Sequence, residues 1–496
     1  MRYFALSLPV ILTIIVFSGC SGGSQQDPVV LSAPAGEMYT LINKEGITVI
    51  PNGRLLTPAG RNYVVAPHPF GLALSHDGEI AVTANSGTSP LSITVIKNLS
   101  SYPEIMQIPP GYSTDAGVLE SVFMGLAISP DNSKVYVAGG QSNRIFVFDL
   151  VSGNKTDSID CIRSADGIDY PDGYIGDMVI SRDGSLLFAV DQMNFRLLIA
   201  DTRSLKVTRS VPVGRYPFGL ALTNDEKKIY VANVGMFQYR KIGDIEARSD
   251  YGKALSFPPF GYNTDEMRNG IITDSLIIPG LGDPNSDMAF SVWSISLEDI
   301  SNPKVVARIK TGNLVGQMVE GIPAVGGSSP NSMAITSDFV FVSNGNNDNI
   351  TVIDVRNDSV IKDIFLKPDD AVRHFRGVIP FGLAVSPDGE RLYVAEAGIN
   401  AIGVIDLPSF KVMGHIPVGW FPSKVRVTPD GKKLVVTNAK GYGSGPNGGM
   451  NFREGPEGTY IGSLMKGTVS IIDIPPDNEL EKMSRQVIAN NFRKDK

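Results

Sequence analysis

Six ionisable side chains, Asp177, Asp191, Arg215, His374, Glu396 and Lys424, stand where a repetitive chain would otherwise carry glycine, asparagine or an unremarkable loop residue. Brought together, acids, cations and an imidazole can hold a polar ligand or move a proton. Buried and paired with one another, the same groups would plug a channel instead. The chain has four histidines, His68, His76, His374 and His415, without HxH or HExxH spacing, so no histidine-built metal site is expected. His76 replaces proline in a turn and His415 falls in an outer strand, which predicts surface positions, whereas His68 and His374 precede inner strands and can face a central channel. The acids Asp160, Asp166, Asp169 and Asp172 lack EF-hand order and read as a solvated loop, with Ca²⁺ binding as the alternative. No CxxCH or other cofactor motif occurs, so no cofactor is expected.

The elements that must position these groups repeat. Residues 380–419 read as four short strands: Leu383 and Val385, then Leu392 and Val394, alternate with small or polar residues around a Ser386-Pro387-Asp388-Gly389 turn, and a second hairpin spans Ile402–Leu407 and Val412–Pro417. Seven first hairpins align, beginning at Pro69, Phe123, Ile175, Pro217, Pro330, Pro380 and Pro422. A lone four-stranded sheet cannot bury both faces, but sheets stacked around an axis can. The prediction is an all-β, seven-bladed β-propeller. The last repeat lacks a clear fourth strand, and a surplus pair at Ile47–Ile50 and Gly53–Thr57 is expected to supply it and close the ring.

Alignment of the repeats gives an internal control. Asn85, Asn233, Asn344 and Asn438 end the second strands and read as turn-formers, and their column holds Asp191 and Glu396 elsewhere. Gly71, Gly125, Gly219 and Gly382 open the first strands, and that column holds Asp177, Ser332 and Lys424. If both columns meet at one end of the axis, these residues would share a rim with Arg215 and His374. Trp420 reads as packing between blades, and Trp293 has no assigned role. Two excursions break the repeat, at 235–290 and 440–466. The first carries Phe257-Pro258-Pro259-Phe260-Gly261-Tyr262, and excursions of this length are where function sits.

The N-terminus reads as an export signal over residues 1–19: Arg2, an apolar run Phe4–Phe17 too short to span as a helix, then Ser18-Gly19-Cys20. The last three residues resemble a bacterial lipobox, with Phe17 where leucine is commoner. That implies lipid on Cys20, a tether over 20–36 and a propeller over 37–496 in the cell envelope, membrane-anchored and facing periplasm or surface. With Cys20 acylated, Cys161 has no disulfide partner and reads as a buried apolar residue. A net charge of -7 argues against nucleic acid as a partner.

Tyr230-Val231-Ala232-Asn233 and Val435-Val436-Thr437-Asn438 resemble the signature of YVTN-repeat propellers of bacterial surfaces and periplasms. Asn52–Arg61, Gly280–Asn285, Gly326–Ile353, Asn438–Asn447 and Tyr460–Asn491 more closely resemble the propeller half of bacterial proteins in which a propeller precedes an alkaline-phosphatase-superfamily phosphoesterase. Those relatives continue into the phosphoesterase, whereas this sequence stops at Lys496, so no phosphoesterase residue carries over. The resemblance implies a binding or scaffold module for a protein partner, a separately encoded phosphoesterase being the one it suggests. Some seven-bladed relatives instead imply a lactonase-type hydrolase using charged residues at the channel mouth.

Overall fold

A computed structural model describes residues 31–163, 167–239, 264–272, 277–372, 374–446 and 460–494. The lipobox, most of the tether, Asp166 and the aromatic run 257–262 lie outside these residues.

The repeats fold as antiparallel meanders of four strands. Five are separate sheets, and an eight-stranded sheet comprises two more, 126–160 and 175–212, joined by a single parallel pair between Asp160 and Lys206. In the sixth repeat Pro380–Val385, Arg391–Glu396, Ala401–Asp406 and Lys411–Pro417 pair in sequence order, matching the hairpins read from alternation. Each sheet packs on both faces, so the inner strands are buried almost throughout and their side chains meet a neighbouring sheet on either side. The core is accordingly divided into layers. One joins Phe341, Ile350 and Val352 to Leu383, Leu392 and Val394 of the next sheet, and another joins Val435, Val469 and Ile471 of the last sheet to Leu72, Ala81 and Ile96 of the first.

The innermost strands form a closed circuit: Pro69–Leu74 lies beside Leu126–Ile128, followed by Ile175–Ile180, Pro217–Leu222, Pro330–Ile335, Pro380–Val385 and Trp420–Val427, which returns to Pro69–Leu74. This is a β-propeller. The circuit explains the glycine column, because a side chain on Gly71 would collide with the Met124 carbonyl and one on Gly125 with that of Gly176.

Ring closure is as expected in kind but differs in place. Arg61–Pro67 is the outer strand of the last sheet, pairing with Lys466–Asp473 in registers such as Val469 with Tyr63. The earlier apolar runs make their own small hairpin, Thr48–Val49 with Leu55–Leu56. Both stretches are short and apolar, so periodicity could not choose between them. Sequence reasoning also missed the helix Asp477–Asn491, which lies along Lys411–Pro417 with Leu480 and Val487 buried. Two prolines precede it, and Asp477 and Glu479 occupy its first turn, where acids favour a helix. Gly414 makes the approach possible, since a side chain there would strike Ser484 and Leu480.

The ring therefore has two unlike ends. Turns joining first to second and third to fourth strands make a turn face. The other described connections, the described ends of both excursions and the N-terminal segment lie on the opposite loop face: Arg54 donates to the Gly398 carbonyl in the sixth repeat's second-to-third connection, and Leu31–Ser32 pairs with Arg493–Lys494 just beyond the C-terminal helix.

Candidate functional site

The column that opens the inner strands does converge. Lys424 from the last repeat reaches across the axis to Asp177 of the third, Nζ to Oδ2 3.2 Å, with the Ser332 hydroxyl of the fifth at 3.5 Å. These are the three residues that replace glycine. Their side chains fill the axis where the glycine repeats leave space, and the ion pair is 4% and 16% exposed. Burial pulls the Lys424 ammonium pKa down, Asp177 opposes that pull, and half-buried Arg426 adds to it. A lysine so enclosed can neutralise Asp177 but leaves little room for a ligand between them.

Above this plug, toward the loop face, lies a layer of aromatic rings from five of the repeats. Phe70 meets Phe381 and Phe421 at 6.2 Å each, Phe381 meets Phe218 at 6.1 Å, and Phe218 meets Phe123 at 6.1 Å. All five rings are half-buried, so the layer narrows the mouth while part of each residue stays exposed. His68 stacks on Phe70 at 6.3 Å, and burial, then the charge of Lys440, lower its imidazole pKa. Lys440 also lies over the rings of Trp420 and Phe421, at 4.8 and 5.2 Å.

The residues just before five inner-strand prolines, His68, Tyr216, Ser329, Ile379 and Phe421, all have positive φ, between 49° and 60°. Such a backbone is costly for a branched residue like Ile379. It recurs because the carbonyls of His68, Tyr216, Ser329 and Ile379 accept from the residue that follows the second strand, at 2.9–3.1 Å. The strain belongs to the architecture rather than to one site.

The second-strand column does not join the axial plug, and its asparagines are not turn-formers. Asn85 donates to Ser92 and Thr94 at 3.1 and 2.9 Å, Asn344 to Asn349 and Thr351 at 2.8 and 2.7 Å, and Asn438 to Thr468 and Ser470 at 3.1 and 2.9 Å. Each ties the second strand to the third inside its own sheet. Asp191 occupies this seam with Arg196 in the serine position, paired at 2.8 Å, while the Arg196 guanidinium lies 3.5 Å from the Tyr170 ring and donates to the Cys161 carbonyl at 2.8 Å. Glu396 occupies it where the third strand carries Gly403 in place of threonine or serine, so the longer acid passes over that glycine to His415 Nδ1 on the fourth strand, 2.7 Å away. His415 is thus buried, not a surface residue, and the C-terminal helix covers it: Ser484 Oγ accepts from the His415 backbone N–H at 2.8 Å. Burial lowers the imidazole pKa, but the charge and hydrogen bond of Glu396 outweigh it and hold His415 above its usual value. One carboxylate oxygen of Glu396, Oε1, is buried without a hydrogen-bond partner.

Arg215 and His374 lie elsewhere again. Arg215 fastens the fourth-repeat excursion at its root, donating to the carbonyls of Met236 at 2.6 Å and Asp283 at 3.1 Å. Lys310, missed from sequence, holds the returning chain by donating to the Ser286 carbonyl at 3.0 Å and to that of Ala289, and burial lowers its pKa to about 8. His374 is exposed on the loop face beside Glu320, 3.6 Å away, with Arg376 on the same carboxylate at 3.0 Å. The single rim expected for the six residues is therefore not built. His76 is exposed, Cys161 is buried with its thiol pKa pushed up by desolvation, and Trp293 donates to the Asp287 carbonyl at 2.9 Å. Among the described residues no cluster of three His, Cys, Asp or Glu is placed to hold a metal, and no helix is long and apolar enough to cross a membrane.

No family model matches the chain, and no curated protein matches it in sequence. Among solved structures, hydrazine synthase from Kuenenia stuttgartiensis aligns over 75% of this chain and 93% of its own at 15% identity and a TM-score of 0.48. A functionally unknown protein from Desulfotomaculum acetoxidans aligns over 70% of this chain and 84% of its own, at 13% identity and a TM-score of 0.42.

Proposed function

We propose that this is an exported, lipid-anchored propeller of seven blades, akin to the YVTN-repeat proteins, that serves as a binding module for a protein partner on its loop face. The observation that carries the reading is a contrast in use of residues. The charged groups at the axis and in the seams are occupied by internal partners, while both long excursions leave from second-to-third strand connections and so emerge on one face. Arg215 and Lys310 brace the root of the larger one, as a docking element needs when its tip is to keep a defined position. The resemblance of Gly280–Asn285 and Gly326–Ile353 makes a phosphoesterase the partner class to look for.

The test is recovery of partners from the source cell envelope by the full chain and by a variant lacking residues 240–263. The full chain should retain a protein that the variant loses, with the variant melting as the parent does. Equal recovery by both, or lactone or phosphate-ester turnover by the chain alone that disappears in Asp177→Asn, would overturn the reading.

A further inference from the structure

The outer surface is unevenly apolar. Of the 28 exposed large apolar side chains among the described residues, eighteen lie on the loop face or its N-terminal segment and seven on outermost strands, leaving Tyr102, Val151 and Ile300 on the turn face. The loop-face residues are grouped. The N-terminal segment offers Tyr39, Leu41 and Ile47 at 91%, 49% and 47% exposure, and the hairpin Met318–Val319 with Ile322–Pro323 offers Met318, Ile322 and Val325 at 62%, 70% and 71%. The two patches belong to one stretch of surface. Arg54 of the N-terminal segment lies over Phe375, and the adjoining Arg376 pairs with Glu320 at the hairpin tip.

What covers this surface is indicated by the chain that leads away from it. The described structure begins at Leu31, on the loop face, and only ten residues, 21–30, separate it from Cys20. A ten-residue flexible linker spans about 18 Å on average and about 37 Å at most. Six-residue strands alone make the ring about 20 Å thick before turns and loops are added. A tether rooted on the loop face therefore brings that face to a bilayer without strain, whereas presenting the turn face would need it nearly taut around the rim.

We infer that the loop face rests against the lipid surface, with the N-terminal segment and the 314–325 hairpin as its contacts. Tyrosine and aliphatic side chains at loop tips suit this position, since an amphipathic ring is favoured at the headgroup level. The inference rests on the anchoring proposed above. It narrows the partner to one that meets the excursions at membrane level.

The experiment uses the full chain, extracted and returned to phosphatidylethanolamine–phosphatidylglycerol vesicles containing headgroup-nitroxide lipid. A thiol-reactive fluorophore is placed at Tyr39→Cys, Ile322→Cys, Tyr102→Cys or Val151→Cys, with buried Cys161 left in place. If the contacts lie about 5–10 Å into the headgroup layer, labels at 39 and 322 should lose about half their emission to the nitroxide and those at 102 and 151 very little. Equal quenching at all four, stronger quenching on the turn face, or labels at 39 and 322 shielded from an aqueous quencher yet blind to the lipid, as a protein occupant would make them, overturns the orientation. Anchoring is judged separately. Fluorophore attached at Cys20 of the parent chain, or a Cys20→Ser chain that still floats with vesicles, defeats lipidation and leaves the orientation to the quenching pattern. A parent chain that does not float defeats both.

Discussion

On the turn face six repeats solve one problem in one way. Ser75, Ser129, Ser181, Thr223, Ser386 and Thr428 each donate to an aspartate two residues on, at 2.5–2.7 Å, and each accepts the backbone N–H five residues on, at 2.8–3.0 Å. The loop face keeps a shared frame, in which the carbonyls of Asn143, Phe195, Asp348 and Asn400 accept from the residue after the fourth strand at 2.8–3.1 Å, but it also carries features without a counterpart. The plug at that end of the axis, the braces at Arg215 and Lys310 and the Glu320–Arg376 pair each occur once. Six copies of a turn divide its work among themselves. A plug with one copy has no substitute, so the contrast between the faces can be measured by removing one member of each kind.

The largest effect is expected at the axis. Lys424→Ala leaves the largely buried Asp177 without its ion-pair partner, and breaking a buried pair from one side typically costs about 3–5 kcal/mol. Denaturant titration should show the midpoint falling by a matching amount, and Asp177→Leu combined with Lys424→Met should recover most of it, because the desolvated charge is then gone from both sides. A Lys424→Ala chain as stable as the parent would mean that the axial end is as replaceable as a turn.

The second comparison sits in the seams. His415 has a folded pKa held above its unfolded value, so its contribution is complete below that unfolded value, near 6.5, and is lost as pH rises through the raised one. A hydrogen bond to a charged group is worth about 1.5–3 kcal/mol. The stability gap between the parent and His415→Gln should therefore be widest near pH 6 and close as the solution turns alkaline, read from melts across that range. A gap that widened with pH would show that the Glu396 contact does not hold the proton on His415.

How much of this was readable follows from where repetition ends. The strands, the tight turns and the ring were legible because the same apolar alternation and Ser/Thr-x-Asp turn return in repeat after repeat. Asp177, Ser332 and Lys424 were found because three departures from one glycine column need each other to fill the axis. Glu396 and Asp191 were misplaced because their column was read alone. Read with the third strand, Arg196 stands opposite Asp191, and Gly403 opens the way from Glu396 to His415, so each acid departs together with a partner. The C-terminal helix left a trace in the spacing of Leu480, Met483 and Val487, yet a search for strands passes over a helix that occurs once. His415 reads as a surface residue for the same reason, since outer strands are largely exposed in other repeats and, among the described residues, this one lies under a helix.

The smallest effect is expected on the turn face, and it separates from the others by pH. Asp388→Ala removes the acceptor for Ser386 and for the Glu390 N–H at 3.0 Å. At an exposed turn this is worth toward the lower end of about 0.5–1.5 kcal/mol, a shift small beside that of Lys424→Ala. The turn acids nevertheless act together in acid. Asp131 and Asp183 are lowered to about 2, chiefly by the hydroxyls of Ser129 and Ser181, and Asp77, Asp225, Asp388 and Asp430 are lowered in the same way. A depressed folded pKa gives stability that is complete above the unfolded value of 3.8 and drains away as pH falls toward 2. Melting temperature should thus fall between pH 4 and pH 2 by less in a chain carrying Asp131→Asn and Asp183→Asn than in the parent, while the two respond alike between pH 6 and pH 8. Parallel acid curves would mean that the turns, for all their repetition, leave the ring's acid stability to the single-copy pairs at the other face.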